Sequence, residues 1–421
     1  MKDVESIQKF ERFGSVLGLE RISLLMERFG NPQDQMNIVH VAGTNGKGSV
    51  SRYIYETMRE SGRKPGIFIS PFLEKFNERI EYAGQLITDG EIQKYSDMVV
   101  AEADRMVEEG MDSPTEFEII TAMAFLYFRD KKADPVILEV GLGGRGDSTN
   151  IVKHPLATVF TSISFDHMDR LGNSIEQIAA EKAGILKEDC PAISGVRDKK
   201  AEQVIRDRAK NIKAPFYSAT NGSYTIEREN LEGTAFRYKG KTWNLSMRGR
   251  HQVENAITAI ETIEVLNMGI TDEQLANGLK RAVQPGRFET LQRNNPLIIL
   301  DGAHNQAGAE ALKNTVKTLL KDKRILVVTG MLKDKDVDAI TENLTEITGD
   351  FIVTEPDNPR RLSGESLAKI ITAAGGSVHH IMTPQQAADF ALKEAAEKYE
   401  AVLFAGSLYL IGTIRRLLKN G

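Results

Sequence analysis

Short apolar runs alternate with amphipathic stretches in the first half of the chain. The run "MNIVHVAG" has the composition of a strand, and "KGSVSRYIYETMRESG" after it has the apolar spacing of a helix that ends at a glycine. The runs "KPGIFIS", "PVILEVG" and "LATVFTSIS" are typical of buried parallel strands. Strands that alternate with helices in this way predict a doubly wound α/β domain.

Three helices in this region begin with recognisable capping residues. Thr88 with Glu91, and Thr115 with Glu118, have the spacing of a capping box, in which two side chains satisfy free backbone N–H groups of the first turn. Ser174 precedes "IEQIAAEKAGILK" and is a candidate N-cap. The helices predicted between the strands therefore have defined starts.

The pattern changes over residues 223–247, where strand-like alternation replaces helical spacing. We interpret this part as a β-rich appendage of the first domain. Helical spacing returns over 251–282, and the Pro-Gly pair of "QPGRFE" after it indicates a linker. The first domain is therefore predicted over residues 1–284 and the linker over 285–295.

A second α/β pattern follows the linker. The runs "PLIILDG", "RILVVTG", "FIVTEP", "SVHHIM" and "AVLFAG" are strand-like, and helical segments lie between them. Residues 296–421 are therefore predicted to form a smaller C-terminal Rossmann-like α/β domain of ordinary size.

Composition and charge narrow the cellular setting. The chain of 421 residues has a net charge of −5 and no dense block of Lys and Arg, which argues against a nucleic-acid partner. Cys190 is the only cysteine, so no internal disulfide forms and a reducing compartment fits. The opening "MKDVESIQKFERFG" has no signal-type apolar region, and the uncharged run Ala401–Ile414 is too short to span a bilayer. We therefore expect a cytoplasmic protein that contacts no membrane.

One predicted loop has the composition of a phosphate-binding loop. It lies in "HVAGTNGKGSVSRYI" and departs from the pattern G-x-x-x-x-G-K-[ST] at two places. Val41 stands where the first glycine is expected, and Gly48 separates Lys47 from Ser49. A tight turn that binds nothing is the alternative interpretation.

The loop nevertheless has the parts that phosphate binding needs, namely flexible backbone N–H groups and one lysine at the start of a helix. Gly43, Gly46 and Gly48 would let the backbone approach a phosphate. Lys47 would supply positive charge, and Ser49 a hydroxyl for phosphate or Mg²⁺. The first domain is therefore predicted to be a phosphate-loop NTPase-like doubly wound domain.

Three residues with metal-binding side chains stand at the ends of predicted strands of this domain. Ser70 follows "KPGIFI", Glu139 lies in "PVILEVG", and His167 follows "LATVFTSIS". Because open parallel sheets bind ligands at the carboxyl ends of their strands, we expect these side chains near the phosphate loop. One or two Mg²⁺ ions held with a nucleotide would account for them. Lys182 follows on a helix, where a solvated surface lysine is the alternative.

The glycines that follow Glu139 allow another interpretation. "GLGGRG" imitates a dinucleotide-binding fingerprint, but no helix obviously follows it and no acidic residue stands at the required distance. In the second domain, "LDGAHNQAG" places Asp301 and His304 at a strand end, where they could move protons or hold phosphate and amine groups. A turn with Asn305 as the helix cap is the alternative there.

Eight motifs in fixed order resemble the folylpolyglutamate synthase/dihydrofolate synthase family of the Mur ligase superfamily. They are "GTNGKGS", "ISPFLEKFNERI", "TEFEIITAMAF", "EVGLGGRGDSTN", "DHMDRLGNSIEQIAAEKAGI", "PGRFE", "DGAHN" and "AGSLYLIG", from about His40 to Gly412. The family's phosphate loop has the same extra glycine. The chain departs from the family at Gly146 and Ser148, where a bulkier residue and Ala are expected, and at Phe72, where many bifunctional members have His.

The resemblance implies roles for individual residues. ATP contacts would fall on Gly43, Thr44, Asn45, Gly46, Lys47, Gly48, Ser49, Asn255, Arg287 and Asp301. Ser70 and Glu139 would bind one Mg²⁺, Glu139 and His167 a second, and Lys182 matches a position that is a carbamylated lysine in relatives. Lys47, Lys182, Asp301 and His304 would be the catalytic residues. Phe72, Thr115 and Phe117 would face the pterin, and Ser407 and Tyr409 the glutamate.

The resemblance also implies the reaction. ATP would phosphorylate the γ-carboxylate of a reduced folate, and the amine of L-glutamate would then attack the acyl phosphate. Dihydropteroate is a further possible acceptor, and we expect a monomer. The nearest alternative is another Mur-type ligase that acts on a cell-wall nucleotide peptide. A regulatory guanine-nucleotide switch would need Asn/Thr-Lys-x-Asp, and the sequence contains no Asn-Lys or Thr-Lys pair.

Overall fold

A computed structural model describes Ile7, Phe10 and residues 16–292 and 295–420. Most of the opening "MKDVESIQKFERFG" stretch, and residues 293 and 294 of the predicted linker, lie outside the described residues. The chain forms two compact units. The first comprises Met1–Ser223 and Glu254–Ala282, and the second comprises Tyr224–Val253 and Val283–Gly421.

The first unit is organised by an eight-stranded sheet in the order β4-β3-β2-β5-β1-β6-β7-β8. The six strands from β2 to β8 in this order are parallel, and β3 and β4 pair antiparallel at one edge. The strands are β1 Ile38–Ala42, β2 Gly66–Phe68, β3 Ile80–Tyr82, β4 Gln85–Leu86, β5 Val136–Glu139, β6 Ala157–Phe160, β7 Ala192–Ser194 and β8 Phe216–Ser218.

Helices connect these strands and supply most of the unit's core. They are α1 Glu20–Arg28, α2 Lys47–Glu60, α3 Asp89–Glu108, α4 Glu116–Lys131, α5 Met168–Leu171, α6 Ile175–Lys182, α7 Lys199–Asn211, α8 Arg250–Leu266 and α9 Asp272–Arg281. One apolar cluster joins α1, α3 and α4 to the sheet, and another joins α6 and α7 to it. The doubly wound α/β prediction is confirmed.

The capping residues predicted for α3, α4 and α6 are confirmed. Thr88 and Glu91 form a complete capping box at α3, and Thr115 and Glu118 form one at α4. The side chain of Ser174 accepts a hydrogen bond from the third residue of α6. Each cap fixes the residue at which the chain leaves a strand-end loop and enters a helix.

The register of the central strands positions the candidate site. Val41 of β1 lies opposite Glu139 of β5, and Ala42 lies opposite Phe160 of β6. Because these strands are parallel, the loops that follow β1, β2, β5 and β6 all leave the same edge of the sheet.

The second unit contains a three-stranded antiparallel sheet and a six-stranded sheet in the order β12-β13-β17-β14-β15-β16, antiparallel only at β12. The strands are β9 Tyr224–Asn230, β10 Gly233–Tyr238, β11 Lys241–Leu245, β12 Glu289–Gln292, β13 Leu297–Leu300, β14 Ile325–Thr329, β15 Asp350–Val353, β16 Ser377–Ile381 and β17 Ala401–Ala405. The helices are α10 Gln306–Leu319, α11 Val337–Thr345, α12 Gly364–Ala373, α13 Pro384–Lys393 and α14 Leu408–Asn420. The predicted second α/β domain is confirmed.

Two details differ from the sequence interpretation. The β-rich segment groups with the second unit, because Leu231 packs against that unit's core and Arg248 donates hydrogen bonds to the carbonyls of Leu231 and Phe288. The segment predicted as a linker contains the edge strand β12, which pairs with β13. Its Pro-Gly turn was recognisable in the sequence, but the pairing of the residues after the turn was not.

The structure also bears on the single cysteine and on the question of membrane-spanning segments. Cys190 is buried, and its thiol donates to the carbonyl oxygen of Pro155 at 3.2 Å. Within residues 16–292 and 295–420, none of the helices combines the length and the apolar composition that crossing a bilayer requires.

Candidate active site

The loop after β1 has the geometry of a phosphate loop. It ends at Gly46, which has a φ of 86° and is the N-cap of α2, so that Lys47, Gly48 and Ser49 form the first helical turn. A β-carbon on Gly46 would collide with the side-chain amide of Asn255. The glycine is therefore required both by its left-handed backbone and by the close approach of Asn255. Two predicted nucleotide-binding residues that are 209 positions apart in sequence thus meet.

Two lysine amines converge on this loop. Lys47 Nζ donates to the carbonyl oxygens of Gly43 and Thr44 at 3.0 and 3.2 Å, and Lys182 Nζ donates to the same Gly43 oxygen at 2.9 Å. Lys182 is 4% exposed, which excludes a solvated surface lysine. Burial and then the neighbouring charge of Lys47 lower the pKa of Lys182 to about 7. The neutral amine of Lys182 is therefore accessible near neutral pH.

The end of β6 holds the loop from the other side. Thr44 donates through its backbone N–H to the carbonyl of Ser162 at 2.7 Å and through its hydroxyl to that of Ser164 at 3.1 Å. The carbonyl oxygen of Asn45 accepts from the hydroxyls of Thr161 and Ser162 at 2.7 and 3.0 Å. The hydroxyl residues of "TSIS" thus shape the loop. The sequence did not reveal this role, because these residues were interpreted as part of a buried strand.

The predicted metal ligands follow three strands of one sheet edge. Glu139 is the last residue of β5 and is 4% exposed, and Ser70 lies two residues beyond β2. His167 lies beyond β6 with a φ of 50° and an exposed side chain, and its Nε2 is 3.8 Å from a carboxylate oxygen of Asp166. A hydroxyl, a carboxylate and an imidazole are donors that fit a divalent cation shared with phosphate oxygens. In the described part of the chain, no three His, Cys, Asp or Glu side chains form a metal site by themselves.

The glycines after Glu139 serve close packing. A β-carbon on Gly144 would lie 2.8 Å from the carbonyl oxygens of Glu181 and Lys182, and one on Gly141 would collide with the ring of Phe117. The "GLGGRG" loop therefore lies directly against the end of the helix that carries Lys182. This packing accounts for the glycines without a bound dinucleotide.

Gly146, which departs from the family pattern, has its own packing reason. Its carbonyl oxygen accepts from the backbone N–H of Gly18 at 3.0 Å, and a β-carbon on Gly146 would lie 3.1 Å from the β-carbon of Leu17. A larger side chain would press against this N-terminal segment.

A buried polar chain that sequence reasoning missed lies beneath the loop. Asp147 accepts hydrogen bonds from the backbone N–H and hydroxyl of Thr149 and from the N–H of Leu142. Thr149 Oγ1 is 2.8 Å from His40 Nε2, and since its proton goes to Asp147, it accepts from His40. Burial raises the pKa of Asp147 and lowers that of His40 to about 3, so the imidazole is neutral. The buried position of His40 inside an apolar strand was the available signal.

The residues predicted to face the pterin differ in what they contact. Phe72 is 38% exposed, and the guanidinium carbon of Arg79 lies 5.1 Å from the centre of its ring. Phe117 packs beside Phe68, with ring centres 6.0 Å apart. Thr115 is buried and uses its hydroxyl to cap α4. Of the three predicted residues, Phe72 is thus the one with a broadly exposed ring.

The second unit has a polar strand end of its own. Asp301 follows β13 and is buried, and its carboxylate accepts from the backbone N–H groups of Phe288 and Ala303, both at 2.8 Å. Burial raises the pKa of Asp301, and the charge of Arg287 opposes this shift. His304 Nδ1 lies 2.8 Å from the carbonyl oxygen of Gly302, which requires the proton on Nδ1. Nε2 of the neutral ring is then the acceptor.

The remaining predicted residues lie at or after this sheet edge. Asn305 caps α10, as the turn interpretation of "DGAHN" required, and this cap coexists with the polar side chains before it. Ser407 follows β17, and its buried hydroxyl has no hydrogen-bond partner within the described residues. Tyr409 is 42% exposed, with its hydroxyl 3.4 Å from Arg360.

Comparison with known proteins identifies the class. Residues 41–263 match the Mur ligase middle domain, and residues 286–408 match the Mur ligase glutamate ligase domain. With the phosphate-loop geometry, these matches define an ATP-dependent ligase of the Mur type. A Bacillus subtilis (strain 168) dihydrofolate synthase/folylpolyglutamate synthase is 41% identical, over 97% of this chain and 96% of the relative. The chain belongs to the folylpolyglutamate synthase/dihydrofolate synthase family.

Solved structures agree with this assignment. Escherichia coli FolC in complex with DHPP and ADP is 30% identical and superposes with a TM-score of 0.88, over 99% of this chain and 98% of the other. A bifunctional folylpolyglutamate synthase/dihydrofolate synthase with Mn, AMPPNP and L-glutamate bound is also 30% identical, with a TM-score of 0.83 over 98% and 96% of the two chains.

Proposed function

We propose that this chain uses ATP to add L-glutamate to the γ-carboxyl group of a reduced folate, through an acyl-phosphate intermediate. The observation that carries the proposal is the pair of amines, Lys47 and Lys182, that meet at the Gly43 carbonyl of a phosphate loop. The relatives solved with ADP, AMPPNP and L-glutamate support the two small substrates.

The nucleotide is assigned to the loop after β1 and to three residues from later parts of the chain. The backbone N–H groups of Lys47, Gly48 and Ser49 in the first turn of α2, together with the amine of Lys47, would bind the phosphates, as at other helix N-termini. Asn255 would join them because its amide lies against Gly46. Arg287 and Asp301 of the second unit are assigned to the nucleotide as well, on the family pattern.

We propose two divalent cations at this edge of the sheet. Ser70 and Glu139 would hold one of them, and Glu139 and His167 the other. When bound, Mg²⁺ would offset the negative charge of the phosphates. A protonated Lys182 would repel such an ion, whereas a carbamate formed from its neutral amine and CO₂ would be an anionic oxygen ligand. We assign the carbamate to Lys182 because its buried amine has a lowered pKa.

The chemistry needs activation because a carboxylate carbon is not electrophilic at neutral pH. An oxygen of the folate γ-carboxylate would form a bond to the γ-phosphorus of ATP as the bond to ADP breaks, with Lys47 stabilising the charge. The amine of glutamate would then attack the acyl carbon, and phosphate would leave. His304 in its neutral form would take the amine proton through Nε2, since Nδ1 donates to the carbonyl of Gly302.

The acceptor and the glutamate are assigned to exposed or unsatisfied groups. Phe72 offers an exposed ring for a flat pterin, and Thr115 and Phe117 are assigned to the pterin on the family pattern. Ser407, whose hydroxyl has no hydrogen-bond partner among the described residues, and Tyr409 are assigned to glutamate. We propose that the enzyme works in the cytoplasm as a monomer.

The decisive test supplies purified protein with ATP, Mg²⁺, L-glutamate and one acceptor at a time. A reduced folate should give a product one glutamate heavier, together with one ADP and one phosphate. Dihydropteroate in a parallel assay shows whether the chain also acts as a dihydrofolate synthase. Turnover only with a cell-wall nucleotide peptide would overturn the proposal in favour of the other Mur-type ligases.

A further inference from the structure

A half-buried ion pair joins the "PGRFE" segment to the last helix of the second unit. Arg415 of α14 donates through Nε to both carboxylate oxygens of Glu289, at 3.0 and 2.9 Å, and through a terminal nitrogen to one of them at 2.9 Å. The two side chains are only 14% and 20% exposed. Such a planar, multiply bonded pair fixes geometry as well as charge.

The same segment is fixed at three further points. The Glu289 carboxylate also accepts from the backbone N–H of Gly286 at 2.9 Å. The carbonyl of Gly286 accepts from the N–H of Gly302 at 2.7 Å, and the N–H of Phe288 donates to Asp301. The backbone on both sides of Arg287 is therefore held in place.

The turn needs these contacts because its backbone is strained. Phe288 has a φ of 44°, an uncommon left-handed value for an aromatic residue, and it is fully buried. Gly286 before Arg287 has a φ of 70°. A turn of this kind persists only where its surroundings determine it, and Glu289 with Arg415 forms a large part of those surroundings.

We infer that Arg415 is a positioning residue for Arg287: by holding Glu289, it fixes the turn that presents the Arg287 guanidinium to the nucleotide. The inference rests on the proposed function, in which Arg287 contacts ATP. Arg415 lies three residues beyond "AGSLYLIG", and no motif of the sequence identifies it. Its effect would come through Arg287 alone.

The test measures the KM for ATP, the turnover number and the thermal unfolding midpoint of the full chain. Arg415→Gln removes the charge and most of the hydrogen bonds, and Arg415→Lys keeps the charge but loses the planar fork. We expect KM for ATP to rise about 10-fold in the first and about 3-fold in the second, with turnover at saturating ATP nearly unchanged. The neighbouring exposed Arg416, replaced by Gln, is the matched control and should leave KM unchanged.

A double variant separates positioning from general stability. If Arg415 acts through Arg287, then Arg287→Ala with Arg415→Gln should bind ATP no more weakly than Arg287→Ala alone. The inference would be overturned if the rise in KM for ATP in the double variant equalled the product of the rises in the two single variants. It would also be overturned if both Arg415 variants had a lower unfolding midpoint but an unchanged KM. An unchanged KM in Arg287→Ala alone would instead refute the proposed nucleotide role of Arg287. A raised KM in Arg287→Ala with none in either Arg415 variant would refute the inference only.

Discussion

The two units have the same kind of strand-end edge, but they bury opposite charges there. At the edge of the first unit, the amines of Lys47 and Lys182 meet at one carbonyl oxygen. At the edge of the second, the carboxylate of Asp301 is enclosed by backbone N–H groups. Burial lowers the pKa of Lys182 and raises that of Asp301, so in each case it favours the neutral form.

The difference shows how one architecture can serve two chemical tasks. A cluster of amines at a helix N-terminus suits a polyanion such as a nucleoside triphosphate. A carboxylate beside an arginine and a histidine suits a substrate that brings an amine and must release a proton. The parallel sheet supplies the edge in both units, whereas the side chains that stand on it decide the function.

The largest effect should come from removing the less buried member of the lysine pair. Lys47→Ala should lower turnover by about 10³-fold or more, because it removes the cation that the proposal places at the transferred phosphate. The unfolding midpoint should stay close to that of the wild type, since the Lys47 side chain is only half buried. Steady-state kinetics and calorimetry measure both. Near wild-type activity would refute the phosphate-loop assignment.

The next effect should come from the proposed metal ligands at the same edge. Glu139→Gln and His167→Ala should each lower activity by about 10²-fold at ordinary Mg²⁺ concentrations. Raising Mg²⁺ or adding Mn²⁺ should restore part of it, because the other oxygen donors remain. Titration of activity against metal concentration measures the shift. The same Mg²⁺ dependence in both variants and the wild type would mean that the metal lies elsewhere.

Lys182 should give a smaller but more specific effect. Lys182→Ala should lower activity by about 10-fold to 10²-fold, and small carboxylic acids in the buffer should restore part of it by replacing the carbamate. In the wild type, stripping CO₂ from the buffer should lower activity and bicarbonate should restore it. Electron density at the side-chain tip decides the chemistry. A bare, ordered ammonium with both metals present would exclude the carbamate.

The pKa of Lys182 predicts a pH dependence of stability in the unmodified, metal-free protein. The folded pKa of about 7 lies below the ordinary lysine pKa of 10.5, so the unfolded chain binds more protons between these pH values. The free energy of unfolding should therefore rise with pH across that window, by at most about 1.4 kcal/mol per pH unit. Lys182→Met should remove this rise. Urea unfolding at several pH values tests it, and equal slopes in the two proteins would contradict it.

Most of the fold was predictable from the sequence because periodicity and capping are local. The strand before the phosphate loop, the helix after it and the capping boxes at Thr88 and Thr115 are examples. The pairing of β12 and the docking of Leu231 on the second unit's core depend on distant partners. No local pattern encodes such contacts.

The residues of the candidate site also fall into those that the local sequence reveals and those that only the folded chain reveals. Glu139 and Asp301 were found because each stands at the end of an apolar run, where an ionisable residue is conspicuous, and Lys47 because it lies in a glycine-rich loop between a strand and a helix. The hydrogen-bonded series from His40 through Thr149 to Asp147 was missed because His40 lies 109 positions from Thr149 and only the folded protein brings the two together. Arg415 was missed for the same reason, since only the folded chain brings it to Glu289.

The smallest effect should come from Asp301→Asn, which keeps the shape of the buried carboxylate but changes its donors and acceptors. Asp301 accepts from two backbone N–H groups, whereas an asparagine offers one acceptor oxygen and must turn its own N–H₂ toward the other. We expect the free energy of unfolding to fall by about 1–2 kcal/mol at neutral pH and activity to fall by about 10-fold. The exposed Asp322, changed to Asn, is the matched control and should alter neither by a measurable amount.

The pH dependence of this difference tests its cause. Burial raises the pKa of Asp301 above the ordinary aspartate pKa of 3.8, so at pH values between the unfolded and folded pKa the folded protein binds more protons. The stability that the wild type derives from this group is therefore full at low pH and declines as pH rises through that window. Asn cannot titrate, so the advantage of the wild type over Asp301→Asn should be larger at about pH 4 than at about pH 7. Urea unfolding at both pH values measures it. A larger advantage at the higher pH would mean that the carboxylate is stabilised by its charge, and the contrast between the two edges would then be wrong.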